Sequence, residues 1–223
     1  MEGLKSIIEG KEGRTVLLEH EVKEILRQAG FSVPAGFFAP KGASWEEILE
    51  RSAALSFPLV AKVSSSRIVS KTEVGGVKTG IKDIHALKRA VSEILSIDSS
   101  EGVLIEEMVP EGLEIIVGGS IDDQFGPIVM LGFGGIFVEI LKDVVFGLAP
   151  LEREEAAWMI KQLRAYPLLR GYRGRGPFDT DSLIRLIVAV SEMMAKGNIK
   201  EIDLNPVILY PKGATVVDGK MKI

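Results

Sequence analysis

The sequence predicts an α+β or α/β chain, built as two lobes. Three observations lead there. Stretches with apolar residues at helical spacing alternate with short apolar runs that read as strands. Several of those runs follow one another with only a turn between them, as antiparallel pairs do. The 223 residues suffice for one large domain or two small lobes, and no repeat or low-complexity tract divides them otherwise.

The elements follow in order. The first dozen residues are polar, carry Gly3 and Gly10, and read as a helix with a loose lead-in. Residues 17–29 place Leu18, Val22, Ile25, Leu26 and Ala29 on one helical face, and Gly30 stops the helix. Val33-Pro34 opens an extended segment toward Phe38. Ser44, with Glu47 three residues on, starts a capped helix that ends near Ser56. Strands follow at LVAKV (59–63) and around 77–81, then a helix over 84–96. Strands come next at 103–109, 113–121 and 126–133, then a flexible loop over 132–135. Helices cover 152–165 and 181–195, the second capped by Thr180 or Asp181. The expected division is a lead-in (1–16), a small lobe with a glycine-rich lid (17–108) and a large lobe ending in a metal-binding hairpin (109–223).

That hairpin is EIDLNPVILYPKGATVVD, residues 201–218. Ile202 and Leu204 take one side of a strand, and Glu201, Asp203 and Asn205 the other. If Pro211-Lys212 forms the tip, Asn205 lies across from Asp218. A carboxylate and an amide oxygen then converge, a ligand set that suits Mg²⁺. A wet polar face is the plainer alternative.

Composition narrows the chemistry. The chain has no cysteine, which excludes disulfides and thiolate chemistry. Two histidines make a His-based zinc site a poor fit. A net charge of −4 with both signs interspersed gives no nucleic-acid footprint. No apolar run reaches the roughly 18 residues that span a membrane, and the start carries no secretory pattern, so the expected home is the cytoplasm.

Other candidates each carry a plainer reading. Lys62 sits in a very apolar strand, so it either reaches solvent or binds an anion such as phosphate. Residues 64–80 bring hydroxyls, Lys71 and Gly75-Gly76 ahead of a strand; they make a phosphate-covering loop or simply a mobile hairpin. Glu106, Glu107 and Val109 end a strand where backbone groups can read an adenine edge, and Glu114 can accept from ribose hydroxyls; taken alone, they read more plainly as an acidic linker. Residues 132–143, with Glu139, offer a second phosphate loop or a turn between strands. Arg173 and Arg175 in YRGRGP can meet an acidic partner or lie in a solvated loop. His20 and His85 read as exposed helical residues without chemistry.

The order of these features resembles the ATP-grasp nucleotide-binding fold. EVKEILRQAGFSVP, PLVAKV, KTEVGGVKTGI, FGPIVMLGFGGIFVEILKDV and EIDLNPV resemble more closely the β subunit of ADP-forming acetyl-CoA synthetases. The closing stretch and VDGK also look like the succinyl-CoA synthetase β subunit. The resemblance implies that Lys62 contacts the α- or β-phosphate of ATP or ADP, and that Glu107 and Val109 read adenine with Glu106 beside them. It implies Glu114 on the ribose, and Asn205 and Asp218 on Mg²⁺ with Asp203 nearby. The implied reaction is acyl-CoA + ADP + phosphate ⇌ acid + ATP + CoA, run with a separate CoA-binding α subunit that supplies the main phosphohistidine. Two departures stand out. The family carries a relay histidine where this chain has Ser70, and an arginine where it has Gly147. Those departures imply an alternative: a relay-deficient paralogue acting as an ATP-binding regulatory or assembly module.

Overall fold

The structure, a computed structural model, describes residues 15–68, 70–135, 142–172, 176–196 and 198–223. Its elements begin with β1 (Val16–Leu17), α1 (Glu19–Gln28), β2 (Gly36–Pro40), α2 (Trp45–Ser52), β3 (Leu59–Ser64) and β4 (Val77–Ile81). Then come α3 (Ile84–Leu95), β5 (Gly102–Glu107), β6 (Leu113–Asp122), β7 (Gly126–Phe133) and β8 (Val144–Leu148). The chain closes with α4 (Arg153–Gln162), α5 (Tyr166–Leu169), α6 (Thr180–Ala195), β9 (Glu201–Leu209), β10 (Ala214–Val216) and β11 (Gly219–Lys222).

The chain forms two units. One holds Leu18–His20 and Pro34–Pro110; the other holds Glu21–Val33 and Glu111–Ile223, with 15–17 among the described residues. The grouping differs from a cut at 108/109 with residues 17–33 on the small side. Val22, Ile25 and Leu26 belong to the larger core, so most of α1 goes with residues that follow it by about a hundred or more.

The smaller unit carries a four-stranded sheet in the order β2-β5-β3-β4, every pair antiparallel. Alternation along β2, β3 and β5 sends Phe37, Ala39, Leu59, Ala61, Val63, Val103 and Ile105 into a core with Ile48 of α2 and Leu87, Val91 and Ile94 of α3. Ser44 caps α2 through the expected capping box, with Glu47 returning the bond. The helix stops at Ser52, short of the expected Ser56, as residues 53–55 turn toward β3. Phe38, Leu104 and Lys62 are paired across β2, β5 and β3, so they share the opposite face.

In the larger unit, the sheet runs β1-β11-β9-β6-β7-β8, with β10 also on β9, again antiparallel throughout. Apart from one parallel bridge, Ser32 to Thr215, the described ladders therefore make this α+β. α6 packs on β6 and β7 and meets α4, closing one face with Leu183, Leu186, Ile187, Val190 and Met194. α1 ends as the sequence predicts: Gly30 takes φ +85° while the Phe31 N–H donates to the Leu26 carbonyl.

Two further helix limits differ from the sequence reading. The expected helix over 152–165 breaks after Gln162. The buried Asp143 carboxylate accepts the N–H groups of Arg164 and Ala165, at 2.8 Å each, and so starts a new turn. α6 is capped not by Thr180 or Asp181 but by Asp179, which accepts from the Ser182 N–H at 2.9 Å.

Candidate functional site

In the smaller unit, Lys62 neither reaches solvent nor stands alone. It is 4% exposed. Its Nζ lies 2.7 Å from Glu19 Oε1 and 3.0 Å from Glu106 Oε2. The Glu106 neighbour follows from register: Lys62 pairs with Leu104 and Val60 with Glu106, which puts Glu106 diagonal to Lys62 on one face. Glu19 comes from the first turn of α1, and its other oxygen accepts from Lys71 Nζ in the glycine-rich loop. Two ammonium groups and two carboxylates thus meet at low exposure, where pairing offsets much of their desolvation. His20, expected on a solvated helical face, instead stacks on Phe38 with ring centroids 4.2 Å apart.

The structure gives Gly75 and Gly76 a structural part. The Gly75 N–H donates to the Thr72 carbonyl and the Gly76 N–H to that of Lys71, so the loop closes on itself. Gly75 takes φ +66°, and a Cβ on Gly76 would stand 2.4 Å from Val63 Cγ1. The amides expected to approach phosphate are thereby engaged within the loop. Ser70 precedes that loop and is half-buried.

At the end of β5, the Glu107 N–H donates to the Ala35 carbonyl and the Glu107 carboxylate accepts from the Ser56 N–H at 2.7 Å. The Met108 N–H donates to Pro58, a residue with no N–H to return. Val109 follows, half-buried.

In the larger unit, the hairpin register is the expected one. Leu209 pairs with Ala214 and Leu204 with Gly219, and between them the Asn205 N–H donates to the Asp218 carbonyl at 3.2 Å. Asn205 and Asp218 therefore stand opposite each other. Ile202 and Leu204 are in the core. Glu201, Asp203 and Asn205 line the other face with Gly118, Ile116, Met130 and Phe146, around a cavity of about 330 Å³.

A bulge sits here that periodicity did not reveal. Val117 pairs with Leu204 but Ile115 with Val207, so Asn205 and Pro206, joined by a cis peptide, oppose one residue of β6. The extra residue reverses the alternation, so Val207 and Leu209, not the even positions, enter the core. Asp203 has Lys220 as its register partner.

Glu114 is exposed at the start of β6, and its side chain lies along Gly134 and Gly135: a Cβ on Gly134 would come within 2.8 Å of Glu114 Cβ. Glu139, Arg173 and Arg175 lie outside the described residues. At Gly147 a Cβ would point at Met159 Sδ, 2.7 Å away, and at Leu151. A side chain there starts toward α4, away from the face that carries Asp203 and Asn205, so its absence does not by itself remove a contact from that face.

One residue of these clusters went unassigned in the sequence reading, Glu19; Lys71 appeared there only as part of the glycine-rich loop. A signal for Glu19 exists: it lies three residues before Val22 and seven before Leu26, on the buried stripe of α1. A carboxylate on such a stripe requires a cation.

Two antiparallel sheets, each with helices on one face and its polar groups on the other, place the chain among ATP-grasp proteins, and the profile of the ATP-grasp domain matches residues 10–223. Relatives narrow this. The β subunit of acetate–CoA ligase [ADP-forming] I from Pyrococcus furiosus is 42% identical over 213 residues, 92% of this chain and 90% of that one. The Archaeoglobus fulgidus acetate–CoA ligase [ADP-forming] II is 37% identical over 93% of this chain, which spans only 30% of that longer protein. Among solved structures, an acetyl-coenzyme A synthetase of Ca. Korarchaeum cryptofilum, in complex with coenzyme A and Mg-AMPPCP, superposes with a TM-score of 0.82 at 38% identity, covering 100% of this chain and 98% of that one. The chain belongs to the ATP-grasp family of ADP-forming acetate–CoA ligase subunits.

Proposed function

We propose that this chain is the nucleotide-binding β subunit of an ADP-forming acyl-CoA synthetase. It interconverts acyl-CoA, ADP and phosphate with acid, ATP and CoA, together with a CoA-binding α subunit. The observation that carries the reading is the Asn205–Asp218 pair, two oxygen-bearing side chains brought opposite one another at a bulge on a polar sheet face. The donor set fits Mg²⁺, which takes one or two protein oxygens and leaves its other positions to water and phosphate. Among the described residues no group of three or more His, Cys, Asp or Glu offers a denser cage. Bound there, the ion neutralises charge on the transferred phosphoryl group. Asp203, with Lys220 opposite, supports the site from nearby.

The other residues take roles their surroundings favour. Lys62 supplies a charge for the α- or β-phosphate. The Glu107 carbonyl and the Val109 N–H read adenine, since the Glu107 N–H is already bonded to Ala35. Glu106 orients Lys62. Glu114 accepts from the ribose.

Calorimetry tests the reading. Mg·ATP binds the chain, and Asp218→Ala loses the Mg²⁺-dependent part of that affinity; unchanged affinity removes the metal assignment. One observation favours a second reading, a relay-deficient ATP-binding regulatory module: Ser70 stands where the family resemblance expects the relay histidine. Binding without turnover in the presence of the α subunit would select it.

A further inference from the structure

The reading above uses Lys62 alone for phosphate. The cluster around it holds more. Glu19 bridges two ammonium groups with one carboxylate: Oε1 meets Lys62 Nζ at 2.7 Å and Oε2 meets Lys71 Nζ. Lys62 has a second carboxylate in Glu106 at 3.0 Å, so Glu19 is not needed to match its charge. What Glu19 adds is Lys71. It draws a loop lysine, whose side chain is 21% exposed, onto a buried strand lysine. The loop's own closure, through the Lys71 carbonyl and the Gly76 N–H at 2.7 Å, holds the backbone that makes this reach.

Two oxygens on one central atom, each accepting from a different ammonium, is also how a phosphoryl group would sit between two lysines. We propose that Lys71 is a second phosphate-binding cation, paired with Lys62 on one phosphoryl group, and that Glu19 is the displaceable internal carboxylate that presets their spacing. The inference rests on the nucleotide-binding reading and adds to it a residue and an exchange. On binding, phosphate oxygens take the two ammonium groups, and Glu19 exchanges them for water in the opened cluster. Lys62 keeps Glu106 throughout. No bond is made or broken; charge-assisted hydrogen bonds are exchanged.

The test is calorimetric titration of the full chain with Mg·ATP and with adenosine, on wild type, Lys71→Met and Glu19→Gln, each checked by thermal melting. Lys71→Met is expected to weaken Mg·ATP about tenfold, the loss of one charge-assisted contact, and to leave adenosine unchanged. Glu19→Gln is expected to tighten Mg·ATP severalfold, because no anion then has to leave. Lys71→Met binding Mg·ATP as wild type does would overturn the second cation. Weaker binding by a folded Glu19→Gln would overturn the exchange and make Glu19 a permanent support. Should Glu19→Gln not fold, Glu19→Asp, whose shorter arm reaches the two lysines less well, is expected to tighten Mg·ATP in its place, and weaker binding sinks the exchange. Wild type that binds no Mg·ATP sinks the nucleotide reading itself, and this inference with it; binding by wild type separates the two failures.

Discussion

At the scale of the residue, Lys62 decides most. A lysine in Leu59-Val60-Ala61-Lys62-Val63 is conspicuous because an unpaired ammonium cannot be buried cheaply. The sequence therefore shows that something must answer it, but not what. Glu106 is reachable only once the β3–β5 register is known, and Glu19 is 43 residues away. Removing the lysine leaves two carboxylates that are 5% and 2% exposed without that cation. Breaking a buried pair this way costs about 3–5 kcal/mol. Lys62→Met should therefore lower the urea midpoint of the smaller unit as well as nucleotide affinity. A midpoint equal to wild type would mean that the carboxylates are satisfied without Lys62. Lys71→Met, at a more exposed position, should move the midpoint far less.

At the scale of the element, local chemistry was legible and non-local chemistry was not. The Ser44 box, the Gly30 stop and the Pro211–Gly213 turn are written within a few residues, and all formed. The bulge at Asn205–Pro206 needed the strand opposite, and the break after Gln162 needed Asp143, 21 residues upstream of Arg164. The cap of α6 shows why such ties matter. Asp179 accepts from the N–H groups of Ser182 and Gly213, joining the helix to the β9–β10 turn. The Ser182 N–H above all, then that of Gly213, holds its carboxyl below the usual carboxylate value. A depressed folded value means stability that is present above the unfolded value and is lost as pH falls through the folded one. Asp179→Ala should cost about 1–2 kcal/mol near neutral pH, the usual loss of an N-cap. The gap in melting temperature from wild type should close as pH drops below about 4, where the ordinary carboxyl takes its proton. A gap that stays constant down to the acid limit would assign the loss to packing instead.

For the whole molecule, the question is what one chain can do. It spans 90% of a Pyrococcus β subunit but 30% of a longer Archaeoglobus relative, so the longer protein carries sequence that this chain does not match. On the proposed reading, nucleotide binding is tested on this chain alone, and acyl-CoA turnover with a CoA-binding partner added. The fold class was readable from sequence because it depends on periodicity, and the hairpin register because the Pro211-Lys212 turn sets it. The grouping of α1 with the larger unit was not, because it depends on a core assembled from residues far along the chain. On the proposed reading, Ser70 bears on turnover most directly. A serine hydroxyl stays protonated near neutral pH and offers no ring nitrogen to accept a phosphoryl group, whereas histidine titrates in that range. If transfer passes through position 70, wild type mixed with the α subunit should consume acetyl-CoA with ADP and phosphate only at background. Ser70→His should then raise that rate and accumulate acid-labile phosphate on this chain, with Mg·ATP affinity unchanged. Wild-type turnover well above background that Ser70→His leaves alone would show that position 70 takes no part in the transfer, and would retire the regulatory reading with it.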